Sequence, residues 1–149
     1  MPHTYSNLWL HLVFGTKGRR PLIAEAWRQR LHEYLGGIVR GMDATALEIN
    51  GVEDHVHLLL RIKPMHRIDY FLRDLKADSS GWIHKQGLSA LFSWQRGYGA
   101  FTVSESQIGK VRRYIANQEE HHRRETFVDE FTALLRAHNI EFEEKYLWE

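Results

Sequence analysis

Apolar and polar positions divide this chain into short runs and helical stripes. Ser6–Phe14 (SNLWLHLVF) is apolar enough for a buried strand, and the loop GTKGRRP follows it. Ala24–Arg40 places Trp27, Leu31, Tyr34, Leu35 and Ile38 at helical spacing. Asp43–Asn50 alternates like a strand. Gly51 then turns the chain into a second strand, Asp54–Ile62, which predicts a hairpin that ends before Pro64. Arg67–Gln86 reads as a second helix, with Ile68, Phe71, Leu72 and Leu75 on one face. The aromatic and glycine content of Leu91–Ser104 suits a strand or bent ribbon. The order strand, helix, strand, strand, helix, strand predicts an α+β, ferredoxin-like (RRM-like) split βαβ antiparallel sheet. Its helices pack on one face, and the other face is left for a partner or for chemistry. With no internal repeat and no linker, one domain is expected over 1–149: a core of about 5–124 and a helical, acidic extension of about 125–149.

The best-marked helix comes after the fourth strand, at Ser104–Arg124. Ser104 and Gln107 have the spacing of a capping box, and Val103 with Ile108 that of a hydrophobic staple. Ile108, Val111 and Ile115 form its apolar stripe. Tyr114 and Gln118 lie one turn apart along its margin, so their side chains can converge.

Composition limits the chemistry. The chain has 149 residues, 43% of them hydrophobic and 26% charged, which suits an ordinary folded domain. It has no cysteine, which excludes disulfides, thiolate metal sites and cysteine nucleophiles. No run is long and apolar enough for a membrane span, and the first residues lack the pattern of a signal peptide. A cytoplasmic protein with no membrane partner is expected. The net charge of +1 conceals an asymmetry. Residues 1–118 carry 16 Lys/Arg against 10 Asp/Glu, and residues 119–149 carry 4 against 9. A basic body followed by an acidic segment is compatible with a polyanionic partner.

Within GVEDHVHLLLRI (Gly51–Ile62), His55 and His57 project from the same face of a strand. They read either as two metal ligands or as polar residues on a wet sheet face, and two imidazoles alone are too few to hold a metal. Tyr114 with Gln118 reads either as a packed helix edge or as a phenolic nucleophile beside a carbonyl ligand. A free phenol, with a pKa of about 10, is a poor nucleophile at neutral pH unless a cation assists it. His121, His122 and His11 are further candidate ligands, ranked below Gln118. Lys17, Arg19, Arg20, Arg112, Arg113, Arg123 and Arg124 could contact phosphates or simply solvate the surface. The tryptophans and WQRGYGAF could stack bases or fill the core.

Taken together, DHVHLLL followed about 50 residues later by VRRYIANQ resembles the single-tyrosine transposases of the HUH nuclease superfamily, specifically the insertion sequence 200-like family, among whose relatives are the REP-associated tyrosine transposases. NLWLHLVFGTKGRRPLI and FSWQRGYGAFTVSES are also similar to that family, so the resemblance covers nearly the whole chain. It implies that His55, His57 and Gln118 hold Mg²⁺ or Mn²⁺ and that Tyr114 is the catalytic residue. It implies cleavage and rejoining of hairpin-bearing single-stranded DNA through a 5′-phosphotyrosine link, with no nucleotide cofactor. It further implies a homodimer in which the tyrosine helix of one subunit can complete the histidine site of the other. Lys17, Arg19, Arg20, Arg112 and Arg113 are then expected near DNA phosphates. Three other readings are a domesticated relative that processes repeats, a non-catalytic nucleic-acid-binding module of similar fold, and a zinc hydrolase. The strands lack the RNP pattern of the common RNA-recognition domain, and the chain lacks H-E-x-x-H.

Overall fold

In the computed structural model, which describes residues 3–149, four antiparallel strands form one sheet in the order β2-β3-β1-β4. They are β1 (Leu8–Gly15), β2 (Thr45–Gly51), β3 (His55–Ile62) and β4 (Gly99–Val103). The expected domain also includes Met1 and Pro2, which lie outside the described residues. Helix α1 (Glu25–Gly41) connects β1 to β2, and α2 (Ile68–Lys85) connects β3 to β4. This is the expected split βαβ order. Successive strand residues point to opposite faces. Leu10, Leu12 and Phe14 of β1 and Val56, Leu58 and Leu60 of β3 therefore meet Trp27, Leu31, Leu35, Phe71, Leu72 and Leu75 of α1 and α2 in the main core.

The second sheet face is not left bare. After β4, the chain runs through a short 3-10 turn into α3 (Ile108–Ala116), α4 (Gln118–His121) and α5 (Phe127–Ala137). Phe127, Phe131 and Leu135 of α5 pack on Val13 and Phe101 to make a smaller core on that side. Glycines make the close approach possible. A Cβ at Gly15 would lie 2.6 Å from a ring carbon of Phe127, and one at Gly99 would lie 2.8 Å from Phe131.

Two local expectations change for identifiable reasons. The regular strand after α2 is only Gly99–Val103, although Trp94 makes an isolated bridge to Thr16. The Lys76 ammonium donates to the carbonyls of Gln95, Arg96 and Gly97 at 2.9, 3.1 and 2.6 Å, which removes those carbonyls from any ladder. The Trp94 indole N–H donates to Ser79 Oγ at 3.0 Å, holding the segment on α2.

The long helix expected over Ser104–Arg124 is broken. Ser104 makes no side-chain cap, and the Gln107 N–H donates to the Ser104 carbonyl in a 3-10 turn. A second break falls at Asn117, with φ −100° and ψ 22°. Here Asn50 Nδ2 donates to the carbonyls of Ile115 and Ala116 at 3.0 and 3.1 Å. In an uninterrupted helix those carbonyls would accept from residues four positions on. Asn50 takes their place and ties the end of α3 to β2.

Candidate active site

His55 and His57 sit on the β3 face turned away from α1 and α2, and both are fully buried. The wet-face alternative is therefore excluded. The register sets His57 opposite Val13 and His55 opposite Gly15, directly beneath α5.

A carboxylate meets them there. Glu130, buried on α5, places Oε1 at 3.0 Å from His57 Nε2, 3.0 Å from His122 Nε2 and 3.2 Å from His55 Nε2. Its Oε2 accepts from Gln118 Nε2 at 3.0 Å and from the Tyr114 hydroxyl. Gln118 Oε1 also lies 3.0 Å from His55 Nε2. Tyr114 and Gln118 converge as their spacing predicts, although a helix break separates them.

The flanking groups fix the imidazoles. His55 Nδ1 meets Asp54 Oδ1 at 2.7 Å. Burial works against a charged His55, but hydrogen bonds to Asp54 and Glu130 outweigh it and raise the pKa to about 9. His57 Nδ1 faces His11 Nε2 at 2.8 Å. Burial dominates at both of these rings, lowering His57 to about 4 and His11 to about 3. Neutral His57 that donates from Nε2 to Glu130 must accept from His11 at Nδ1. If Nε2 instead serves a metal, the proton moves to Nδ1 and His11 becomes the acceptor. At Glu130, burial favours the neutral acid, but the donors His122, His55 and His57 outweigh it and hold the carboxyl below its usual range. Burial first, then the charge of Glu130, raises the Tyr114 hydroxyl above its ordinary pKa.

This donor set fits a divalent cation. His55, His57, His122 and Glu130 each offer a ligand atom within 4.8 Å of the others. Nitrogen and oxygen donors without thiolate suit Mn²⁺, Mg²⁺ or a similar ion. The Asp54–His55 pair has the carboxylate–histidine arrangement that orients metal-bound imidazoles.

A cleft of about 740 Å³ opens onto Tyr114 between α3 and α5, with His11, Lys110, Glu130 and His138 among its walls. The expected phosphate-binding cations are all exposed. Lys17, Arg19 and Arg20 lie on the turn after β1, where Arg19 stacks over the Trp148 ring at 5.0 Å. Arg112 and Arg113 lie on α3, and Arg112 pairs with Glu48 at 3.1 Å. Arg123 pairs with Glu120 at 2.7 Å. His121 turns to Glu125 at 2.7 Å and stays at the rim, whereas His122 enters the cluster.

Sequence reasoning did not single out Glu130, Asp54 or Asn50. Glu130 did leave a signal. It lies on the apolar side of a helix, between Phe127 and Phe131, where an acid is out of place without partners. Asp54 was visible beside His55, but its role depends on how the chain turns at the start of β3.

Comparison with known proteins places the chain in a family. The family model for IS200-like transposases matches residues 4–118. The transposase for insertion sequence element IS200 of Salmonella typhimurium (strain LT2) is 30% identical over 126 residues, covering 80% of this chain and 82% of that protein. The ISDra2 transposase TnpA of Deinococcus radiodurans is 28% identical over 122 residues, covering 76% and 86%. A crystal structure from Deinococcus radiodurans R1, described as a transposase, superposes with a TM-score of 0.60 at 30% identity, covering 78% of this chain and 94% of that one. A REP-associated tyrosine transposase bound to a REP hairpin shares the fold, with a TM-score of 0.61 at 14% identity over 80% and 72% of the two chains. The match runs from ahead of β1 to the first residue of α4 and takes in both buried histidines and the tyrosine, so this chain belongs to the IS200-like transposase family.

Proposed function

We propose that this chain cleaves and rejoins single-stranded DNA through a covalent bond to Tyr114, at a site whose divalent ion is held by His55, His57 and Gln118. The observation that carries the reading is a convergence. The Tyr114 hydroxyl, the Gln118 amide and the two strand histidines all reach one buried carboxylate within hydrogen-bond distance. When bound, Mg²⁺ or Mn²⁺ supplies Lewis-acid stabilisation of charge on the scissile phosphate.

The chain's own residues do the rest. Tyr114 is held by its hydroxyl at the floor of the cleft, with its ring edge-on to His57, the centroids 5.7 Å apart. Its oxygen bonds to phosphorus as the P–O3′ bond breaks. The phenol loses a proton and the departing 3′ oxygen gains one. The new phosphotyrosine ester conserves the energy of the broken one, so a 3′-hydroxyl can later attack it and rejoin DNA without a nucleotide cofactor.

DNA with hairpins is the proposed substrate, and a structural neighbour of the same fold was solved with a hairpin bound. Lys17, Arg19, Arg20, Arg112 and Arg113 are exposed and free to meet phosphates as their other contacts exchange. The family resemblance carries a homodimer and a cytoplasmic setting into this proposal. Nucleophile and histidines already meet within one chain, so the dimer is not needed to assemble the site.

The test uses labelled hairpin oligonucleotides, Mn²⁺ and a denaturing gel. Wild type is expected to form a covalent protein–DNA adduct, and Tyr114→Phe to bind the DNA without forming one. An adduct of equal yield in the variant overturns the assignment.

A further inference from the structure

Glu130 lies outside the segment that matches the family, twelve residues past its end, yet it is at the centre of the site. Two explanations present themselves for a carboxylate buried among imidazoles. It either stabilises the fold as a hydrogen-bond hub, or it belongs to the ion's ligand shell.

The geometry favours the second. Three Nε2 atoms, from His55, His57 and His122, point at the same oxygen, Oε1, at 3.0–3.2 Å. Ligands at right angles on an ion with bonds of about 2.1 Å stand about 3.0 Å apart. Oε1 thus stands from each imidazole nitrogen about as one ligand atom stands from its neighbour on such an ion, and all four ligand atoms lie within 4.8 Å of one another. The carboxylate is also divided between two tasks. Oε1 faces the imidazoles, while Oε2 faces the Tyr114 hydroxyl and the Gln118 amide. The second oxygen thereby sets the proposed nucleophile directly beside the proposed ligands.

We propose that Glu130 is a further ligand of the divalent ion, bridging through one oxygen to the metal and through the other to the Tyr114 hydroxyl. This rests on the function proposed above and adds a residue from α5 to it. His122 presents its Nε2 to the same place and fits the same ion. Substrate can then enter from the cleft beside Tyr114 while Glu130 stays in position. The added charge raises affinity for any divalent ion. The imidazoles bias the choice toward transition ions over Mg²⁺.

The test is Mn²⁺ binding to the full chain, read by electron paramagnetic resonance of the free ion. Glu130→Gln keeps the shape and is expected to weaken Mn²⁺ by at least about 10-fold. Equal or tighter binding in that variant overturns the proposal and marks Glu130 as a plug that competes with the metal. His57→Ala separates the two levels of the argument. If it loses Mn²⁺ while Glu130→Gln does not, only the bridging role fails. If it binds Mn²⁺ like wild type, the metal site and the bridging role fail together. A second measurement needs no variant. In wild-type crystals soaked in Mn²⁺, an anomalous peak bonded to a Glu130 oxygen is expected. A peak on His55 and His57 with the carboxylate turned away overturns the proposal even if Glu130→Gln proves too unstable to assay.

Discussion

The ring of Phe127 lies flat on the imidazole of His55, with centroids 4.0 Å apart and planes 2° from parallel. One residue of α5 therefore covers a proposed metal ligand and also anchors the smaller core, where it meets Phe131 and Trp148. Helix and site are a single packing unit. Phe127→Ala is expected to cost about 3–5 kcal/mol of stability by chemical denaturation, as for other buried aromatic truncations. Phe127→Leu should cost distinctly less. Equal small losses from both would mean that α5 is not firmly seated on β1 and β3.

The same contact makes a prediction for β1. An added methyl at Gly15 would lie 2.6 Å from Phe127 and 3.0 Å from the Asp54 carbonyl. Gly15→Ala must push α5 outward or bend the strand, at about 1–3 kcal/mol. Part of that strain is with Phe127, so pairing Gly15→Ala with Phe127→Leu should cost less than the two single changes added. A double-mutant cycle in denaturant measures the difference, and strict additivity would place the strain elsewhere.

Asn50 gives a third test. Its side-chain amide holds the carbonyls of Ile115 and Ala116 where α3 stops. Asn50→Ala is expected to cost about 1–2 kcal/mol, since it leaves acceptors unpaired. It should also lower adduct formation more than it lowers DNA binding, because it loosens the helix that carries Tyr114. Loss of both in parallel would show a general structural defect instead.

The periodic parts of the fold were legible in the sequence. Strand and helix order followed from apolar runs and spacing in Leu8–Lys85, because every element there buries at least one face against its neighbours. The segment before β4 and the helix after it were less legible. Their form depends on Lys76 and Asn50, which reach across from distant elements to claim backbone carbonyls. Likewise His55, His57, Tyr114 and Gln118 could be picked out by spacing and resemblance, whereas Glu130 required knowing that α5 folds back over β3. A sequence with α5 unplaced suggests an open sheet face, and the structure fills it.

His32 supplies a pH test away from the site. Burial on α1, with Arg28 one turn away, lowers its pKa from 6.5 to about 4. The folded chain holds this ring neutral while the unfolded chain protonates it near 6.5. Its contribution is therefore complete above about pH 6.5 and is lost as pH falls through 4, amounting to on the order of 3 kcal/mol. His11 and His57 fall in the same direction. The comparison is therefore with His32→Gln, whose stability between pH 6.5 and 4 should decline less steeply than wild type. Parallel curves would mean that His32 is solvated in the folded chain.

The final prediction concerns which chain supplies the nucleophile. Within one chain, the Tyr114 hydroxyl and His57 Nε2 share the Glu130 carboxylate. Only the short turn at 104–107 separates β4 from α3, and Asn50 fastens the far end of α3 to β2 of the same chain. That leaves little slack for the tyrosine helix to cross to a second subunit. Heterodimers of Tyr114→Phe and His57→Ala chains are therefore expected to form no covalent adduct, since each chain lacks one half of its own site. Such heterodimers would regain cleavage if the subunits shared sites, because the intact tyrosine of one would meet the intact histidines of the other. An adduct well above that of either variant alone, in subunits shown to have exchanged, would mean that α3 and α4 leave this position when DNA binds, and that the arrangement within one chain is a resting one.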